Sequence, residues 1–145
     1  MKSLREDPYT LLFQQYHQSY RLDSPSTSIL NIAYNICLAT AGRDGQPHAT
    51  LVWFVESDGH ILALSHHNAL KVRNIRSNPK VHLTTGPFKA FGTAEIRDDP
   101  DTMTNCIDLL KKRYKSMQQE YERVLLFLPI MDCVIDITPT KVGLS

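Results

Sequence analysis

Residues 36–64 read ICLATAGRDGQPHATLVWFVESDGHILAL, and the fold follows from how this stretch turns. Ile36 to Thr40 is a short apolar strand. Gly42-Arg43-Asp44-Gly45 supplies hairpin chemistry, because glycine accepts positive φ without a steric cost. Pro47 to Val55 is a longer strand, Ser57-Asp58-Gly59 turns the chain again, and His60 to Leu64 makes a third. The second strand breaks the usual alternation: Leu51, Trp53 and Val55 fall on one face, and Val52 and Phe54 on the other. An antiparallel strand with one wet face alternates apolar and polar residues. Apolar residues on both faces predict that the second face meets a partner subunit or a flat ligand.

The same reading extends downstream. Asn68 is placed to cap a helix over Ala69 to Ser77, which Asn78-Pro79 stops. Val81 to Thr85 and Phe88 to Arg97 are two strands around a Gly86-Pro87 turn. Asp98-Asp99-Pro100-Asp101 opens a helix with a cap and an acid in its first turn, running to about Met117. Met131 to Ile137 is a last apolar strand, closed by Pro139. Upstream, Asp7-Pro8 starts a short helix carrying Leu11, Leu12 and Tyr16, and a second helical stretch covers Ser28 to Tyr34. The expected fold class is mainly β, a six-stranded antiparallel barrel with flanking helices. With no repeat or long linker, residues 1–145 form one domain, and residues 1–34 pack on it as a helical segment.

Composition narrows the partners. The chain has 145 residues, enough for a real core without disulfides or metal. Sixteen basic residues against fifteen acidic ones leave a formal net charge of +1. No overall field draws such a chain to nucleic acid or an anionic membrane, so a bound anion is held locally. Cys37, Cys106 and Cys133 are widely spaced and odd in number, which reads as reduced core thiols rather than a disulfide framework. Met1 to Pro8 is charged with no apolar stretch behind it, unlike a secretory signal, and no run approaches a membrane span. A soluble, cytoplasmic protein is expected.

The most informative chemistry lies in Leu64-Ser65-His66-His67-Asn68-Ala69-Leu70-Lys71. A lysine in the first turn of a helix is mildly unfavourable, because unsatisfied N–H groups already make that end positive. An anion such as phosphate between the helix start and Lys71 makes sense of the arrangement. So does a solvated lysine on a basic helix that also carries Arg73 and Arg76. A dipole cost of only about 0.3–1 kcal/mol does not separate the two readings.

The run LATAGRDGQPHATLVWFVESDGHILALSHHNALKVRNIRSNPKVHLTT, followed by GTAEIRDDPD and ITPTKV, resembles the pyridoxamine 5′-phosphate oxidase-like, FMN-binding split β-barrel family. The likeness covers Ile36 to Val142. It rests on the strand ending Val52-Trp53-Phe54, the helix start from Lys71 to Asn74, the Asn78-Pro79 stop and the Gly92-x-Ala94-Glu95 strand. The resemblance implies a homodimer with FMN at the subunit interface. Its isoalloxazine would lie along Thr50, Leu51, Val52, Trp53 and Phe54. Lys71 would grip the phosphate, with Ser65, His66 and Asn68 nearby, and the phosphate reading of Lys71 then outweighs the solvated one. Lys89, or Arg97, could reach a ribityl or phosphate oxygen. The chain departs from the family where true oxidases carry Ser-Arg-Lys and it has Ala69-Leu70-Lys71. It also ends at Ser145, soon after Pro139, without the substrate-binding extension of those enzymes. Oxidation of pyridoxamine 5′-phosphate itself is therefore not expected.

Other candidates have plainer explanations. His66-His67 has no further ligand at a chelating spacing, so these read as polar loop residues and no metal site is expected. Trp53 could stack near a flavin or simply join the core. Lys111-Lys112-Arg113 suits the C-terminal turn of a helix. No nucleophile–base–acid constellation is present and no catalytic side chain is assigned, so chemistry would belong to the cofactor. The leading expectation is an FMN-dependent oxidoreductase passing hydride between reduced nicotinamide and a small acceptor. The alternatives are a deazaflavin-dependent reductase of the same fold and a flavin- or ligand-binding module without turnover.

Overall fold

The computed structural model describes residues 22–144, so the helix expected around Leu11 to Tyr16 lies outside the described residues. Seven strands, one more than expected, form a single antiparallel sheet: β1 Ile36–Ala41, β2 Pro47–Val52, β3 Val55–Ser57, β4 His60–Ser65, β5 Lys80–Thr85, β6 Phe88–Arg97 and β7 Cys133–Leu144. Their order across the sheet is β2-β1-β5-β6-β7-β4-β3. The extra strand arises because the run expected as one strand from Pro47 to Val55 is broken at Trp53-Phe54. That break governs the whole architecture.

β2 and β3 are the two edges of the sheet, yet only Trp53 and Phe54 separate them in the chain. A flat sheet of seven strands would hold its edges roughly 29 Å apart, at about 4.8 Å per strand. Three Cα steps from Val52 to Val55 reach roughly 11 Å at most. The sheet must therefore curl until its edges meet, without hydrogen bonds joining β2 to β3. This is the split barrel, and it follows from topology and chain length alone. The doubly apolar strand has the same origin: Val52, Phe54 and Val55 are all buried because the chain changes edges there. Leu51 alone of the run stays largely exposed, at 65%.

Local chemistry explains the remaining boundaries. Asp58 and Gly59 both have positive φ, 51° and 83°, the primed turn that the Asp-Gly pair favours between β3 and β4. β7 does not stop at Pro139 but continues to Leu144. Opposite it, Phe91 pairs with Lys141 and Gly92 with Pro139, so Thr140 is left over as a bulge. A bulge is where a strand tolerates proline, whose missing N–H then costs no ladder bond.

The helices are α1 Ser24–Ile32, α2 Leu70–Ser77, α3 Pro100–Tyr114 and α4 Gln118–Phe127, followed by a short 3₁₀ turn, Leu128–Ile130. α1 begins four residues before the expected Ser28, because Asp23 accepts a bond from the Ser26 N–H at 3.0 Å and Pro25 occupies its first turn. α2 brings Val72 and Ile75 into the inner core with Leu38, Phe54 and Ile137. Its N-cap is Ala69 rather than the expected Asn68, and no side chain caps it. Asp99 caps α3 as expected, accepting from the Thr102 N–H at 3.0 Å. α3 and α4 cover the outer face, where Cys106, Leu110, Tyr114 and Val124 pack on Leu62, Leu64 and Val134. No helix among the described residues is long and apolar enough to cross a membrane.

Candidate functional site

A cleft of about 440 Å³ opens between the β2–β3 link, the end of β4 and the helix pair α3–α4. Its barrel wall is Leu51, Val52 and Trp53, and its floor includes Ser65, His66 and Lys71. Six of the residues expected at a cofactor site thus meet in one place, although β3, β4 and the loops after them lie between Trp53 and Lys71 in the chain. The other three lie elsewhere. Thr50 is partly buried opposite Leu38 in the β1–β2 ladder, and Asn68 is exposed; neither lines the cleft. Lys89 is exposed on β6, away from the cleft, where its charge, after burial, helps lower the His82 imidazole below its ordinary pKa. Arg97 is engaged by Glu95 at 2.6 Å and Asp136 at 2.9 Å.

Three observations at Lys71 distinguish it from a solvated surface lysine. It is half-buried in the first turn of α2, a turn with no acidic residue and no capping side chain. It makes no ion pair among the described residues. Burial, partly offset by Cys133 nearby, lowers its pKa from the ordinary lysine value. A cation desolvated without a counter-charge beside uncapped N–H groups is an unbalanced arrangement that an anion would neutralise.

The opposite wall comes from α4 and the 3₁₀ turn, through Glu120, Arg123, Val124, Phe127 and Ile130. The sequence reading assigned no helix here. The signal was present in Tyr121, Val124, Leu125 and Leu128, spaced at the i, i+3, i+4, i+7 positions of a helical face. Glu120 accepts a hydrogen bond from Trp53 Nε1 at 2.6 Å, and the Phe127 ring centroid lies 5.8 Å from that of Trp53. The indole is therefore neither free nor simply core: it ties α4 to the edge of the barrel and faces the cleft. Arg113 was expected to serve its own helix end. Instead its guanidinium donates to the carbonyls of Leu30, at 2.9 Å, and Ala33, so it caps α1. The same group stacks over the Phe54 ring at 4.3 Å.

An apolar wall for a planar ring and a cationic floor for an anion fit a phosphorylated aromatic cofactor in shape, size and charge. The comparisons with known proteins agree on the scaffold. Similar solved structures include the conserved hypothetical protein Rv2991 from Mycobacterium tuberculosis, at TM-score 0.67 and 22% identity over 83% of this chain and 82% of that one. An F420 reductase matches at TM-score 0.63 and 22% identity over 84% of this chain and 98% of that one. HutZ, the heme storage protein of Vibrio cholerae, matches at TM-score 0.62 and 16% identity, covering 86% and 91% of the two chains. At these identities the likeness concerns the fold alone. A search of curated protein sequences found no match. The family model for pyridoxamine 5′-phosphate oxidase, however, matches residues 27–142, which hold all seven strands and the cleft, apart from the last two residues of β7. The chain belongs to the pyridoxamine 5′-phosphate oxidase family.

Proposed function

We propose that the cleft binds FMN and that the protein is a flavin-dependent oxidoreductase, passing hydride between reduced nicotinamide and a small acceptor. The observation that carries this reading is the meeting of an unpaired, desolvated Lys71 with the apolar wall of Leu51, Val52 and Trp53 in one cleft. Lys71 and the α2 N-terminus hold the phosphate, with Ser65 and His66 beside it. Leu51, Trp53 and Phe127 flank the ring and exclude water from its face. The bound flavin supplies the redox chemistry, and the protein supplies orientation and shielding. A second copy of the chain covers the exposed apolar residues of the cleft, Leu51, Phe127 and Ile130, which makes the working unit a homodimer.

A deazaflavin coenzyme is the second reading. The F420 reductase among the structural neighbours favours it, and Arg123, which also lines the cleft, is paired there with Glu120 at 3.3 Å. The absorption spectrum of the freshly purified protein tests both. Oxidised FMN is expected, with bands at longer wavelength than a deazaflavin shows. A Soret band, matching the ligand in HutZ's description, would overturn both flavin readings. Oxidation of reduced nicotinamide by the loaded protein separates an enzyme from a binding module.

A further inference from the structure

We propose that His67, Asp132 and Cys133 form a binding site for a divalent metal of the zinc class, behind the floor of the cleft. One ligand atom from each, an imidazole nitrogen, a carboxylate oxygen and a sulfur, lies within 4.8 Å of the other two. The three come from two segments that the fold locks together. Ser65 pairs with Cys133 across β4 and β7, the Asp132 N–H donates to the Ser65 carbonyl at 2.9 Å, and the His67 N–H donates to Asp132 Oδ1 at 2.8 Å. Asp132 follows His67 by 65 residues, so no local spacing in the sequence announces the cluster.

The donor chemistry selects the metal. Nitrogen, oxygen and sulfur together suit a borderline-soft ion such as Zn²⁺, whereas Mg²⁺ and Ca²⁺ take oxygen. Bond lengths of about 2.0–2.3 Å set the ligand atoms of a tetrahedral ion roughly 3.3–3.8 Å apart. His67 Nε2 lies 4.0 Å from Asp132 Oδ1, close to that spacing, whereas Asp98 Oδ2, 3.3 Å from the same nitrogen, stands outside the three-atom group, so solvent completes the coordination. Asp98 and Asp132 both approach His67 Nε2, and two cations lie nearby: Lys71 beside Cys133, and Arg76, whose guanidinium rests on His67 Nδ1. Arg76 is thus the metal's rival. It needs the Nδ1 lone pair, whereas a metal on Nε2 moves the proton to Nδ1 and leaves a guanidinium with nothing to donate to. On binding, the Cys133 S–H bond is exchanged for a metal–sulfur bond and the proton is released to solvent.

Cobalt(II) is the probe, titrated into the full-length protein as purified and followed by difference absorption, because a thiolate ligand adds a near-ultraviolet charge-transfer band. The expected result is one equivalent bound with that band, displaced by Zn²⁺, and retained in Cys37→Ser. Cys133→Ser abolishes the band. His67→Gln, on the partly exposed loop and safe for folding, weakens binding by more than about tenfold, the lower end of what losing even an outer contact costs a metal site. Arg76→Gln, which removes the rival and can accept from Nδ1–H, tightens binding by roughly tenfold. The proposal fails if the wild type shows no thiolate band. It fails equally if the band survives in Cys133→Ser, if His67→Gln binds as tightly as the wild type, or if Arg76→Gln binds no tighter.

Discussion

Tyr114 Oη accepts a hydrogen bond from the backbone N–H of Phe54 at 3.1 Å, joining α3 to the point where the barrel changes edges. The same hydroxyl donates to the Tyr34 carbonyl at 2.8 Å, so one buried side chain satisfies two backbone groups that no strand or helix ladder reaches. Burial raises the Tyr114 pKa, which keeps the hydroxyl protonated as this bridge requires. Tyr114→Phe preserves the ring and strands both partners. The expected loss is about 1–3 kcal/mol, because a buried polar group left unpaired costs its full desolvation. Urea unfolding measures it. An unchanged midpoint would mean that the bridge contributes nothing to closing the barrel.

Gly92 stands where a side chain has no room. A Cβ there would lie 2.9 Å from the Thr138 carbonyl oxygen and 3.2 Å from Pro139 Cα, both backbone atoms of the bulged strand. Neither can swing aside as a side-chain tip would. Gly92→Ala should therefore destabilise the protein by roughly 1–3 kcal/mol, the usual cost of forcing atoms into a packed site. Gly45→Ala provides a comparison, since nothing lies within 4 Å of its Cβ position and only its positive φ of 80° resists the change.

These two sites also mark where the sequence was legible and where it was not. Turns built on Asp58-Gly59 and the Asp99 cap act locally, so their signals survive without the rest of the molecule. The break at Trp53-Phe54 is set by non-local demands, because two edges 29 Å apart in a flat sheet cannot be joined by two residues, roughly speaking, unless the sheet curls. Pro139 read as a stop because the bulge that accommodates it depends on Gly92, 47 positions upstream by residue number. Of the cleft, the barrel wall and Lys71 were readable as oddities: apolar residues on both faces of one strand and a cation at a helix start. The α4 wall was not, since Glu120 acquires meaning only through its bond to Trp53.

The exposed residues at the cleft mouth give a prediction about assembly. Leu51, Ile130 and Phe127, which all line the cleft, are 65%, 60% and 42% exposed in the single chain, an apolar grouping that a monomer has no reason to keep in water. Light scattering should return twice the chain mass of 16.5 kDa at micromolar concentration. Leu51→Glu should shift the population towards monomer and weaken flavin binding with it, since the same residue lines the cleft. A wild type that scatters as a clean monomer would refute the dimer.

Protonation of Lys71 gives the cofactor reading a pH signature. Burial lowers its pKa in the ligand-free protein, and a phosphate beside it would raise that pKa again. The bound state then holds its proton more tightly than the free state, so binding is favoured at low pH. FMN affinity should hold through neutrality and fall as pH rises through the lysine's lowered pKa, towards its ordinary 10.5. Riboflavin, which lacks the phosphate, corrects for ionisation of the flavin ring. Parallel falls for FMN and riboflavin would show that Lys71 does not touch the phosphate.

The same lysine supports the most direct substitution test. A hydrogen bond to a charged group contributes roughly 1.5–3 kcal/mol, so Lys71→Ala should weaken FMN binding about tenfold to a hundredfold. The fold should survive, because a lysine in the first turn of a helix works against the dipole and its burial here is only partial. Lys71→Arg should do less harm, since the charge remains while the geometry changes. Riboflavin should bind wild type and Lys71→Ala almost equally, which separates loss of the phosphate contact from damage to the ring site. Lys112→Ala, exposed on α3, is the control and should change nothing. Trp53 is the sole tryptophan of the chain and lines the cleft, so quenching of its emission reports occupancy without a label. Equal FMN affinity for wild type and Lys71→Ala would return the lysine to a surface charge. Because Lys89 and Arg97 lie away from the cleft, the uncapped start of α2 would then be left to hold the phosphate through backbone N–H groups alone.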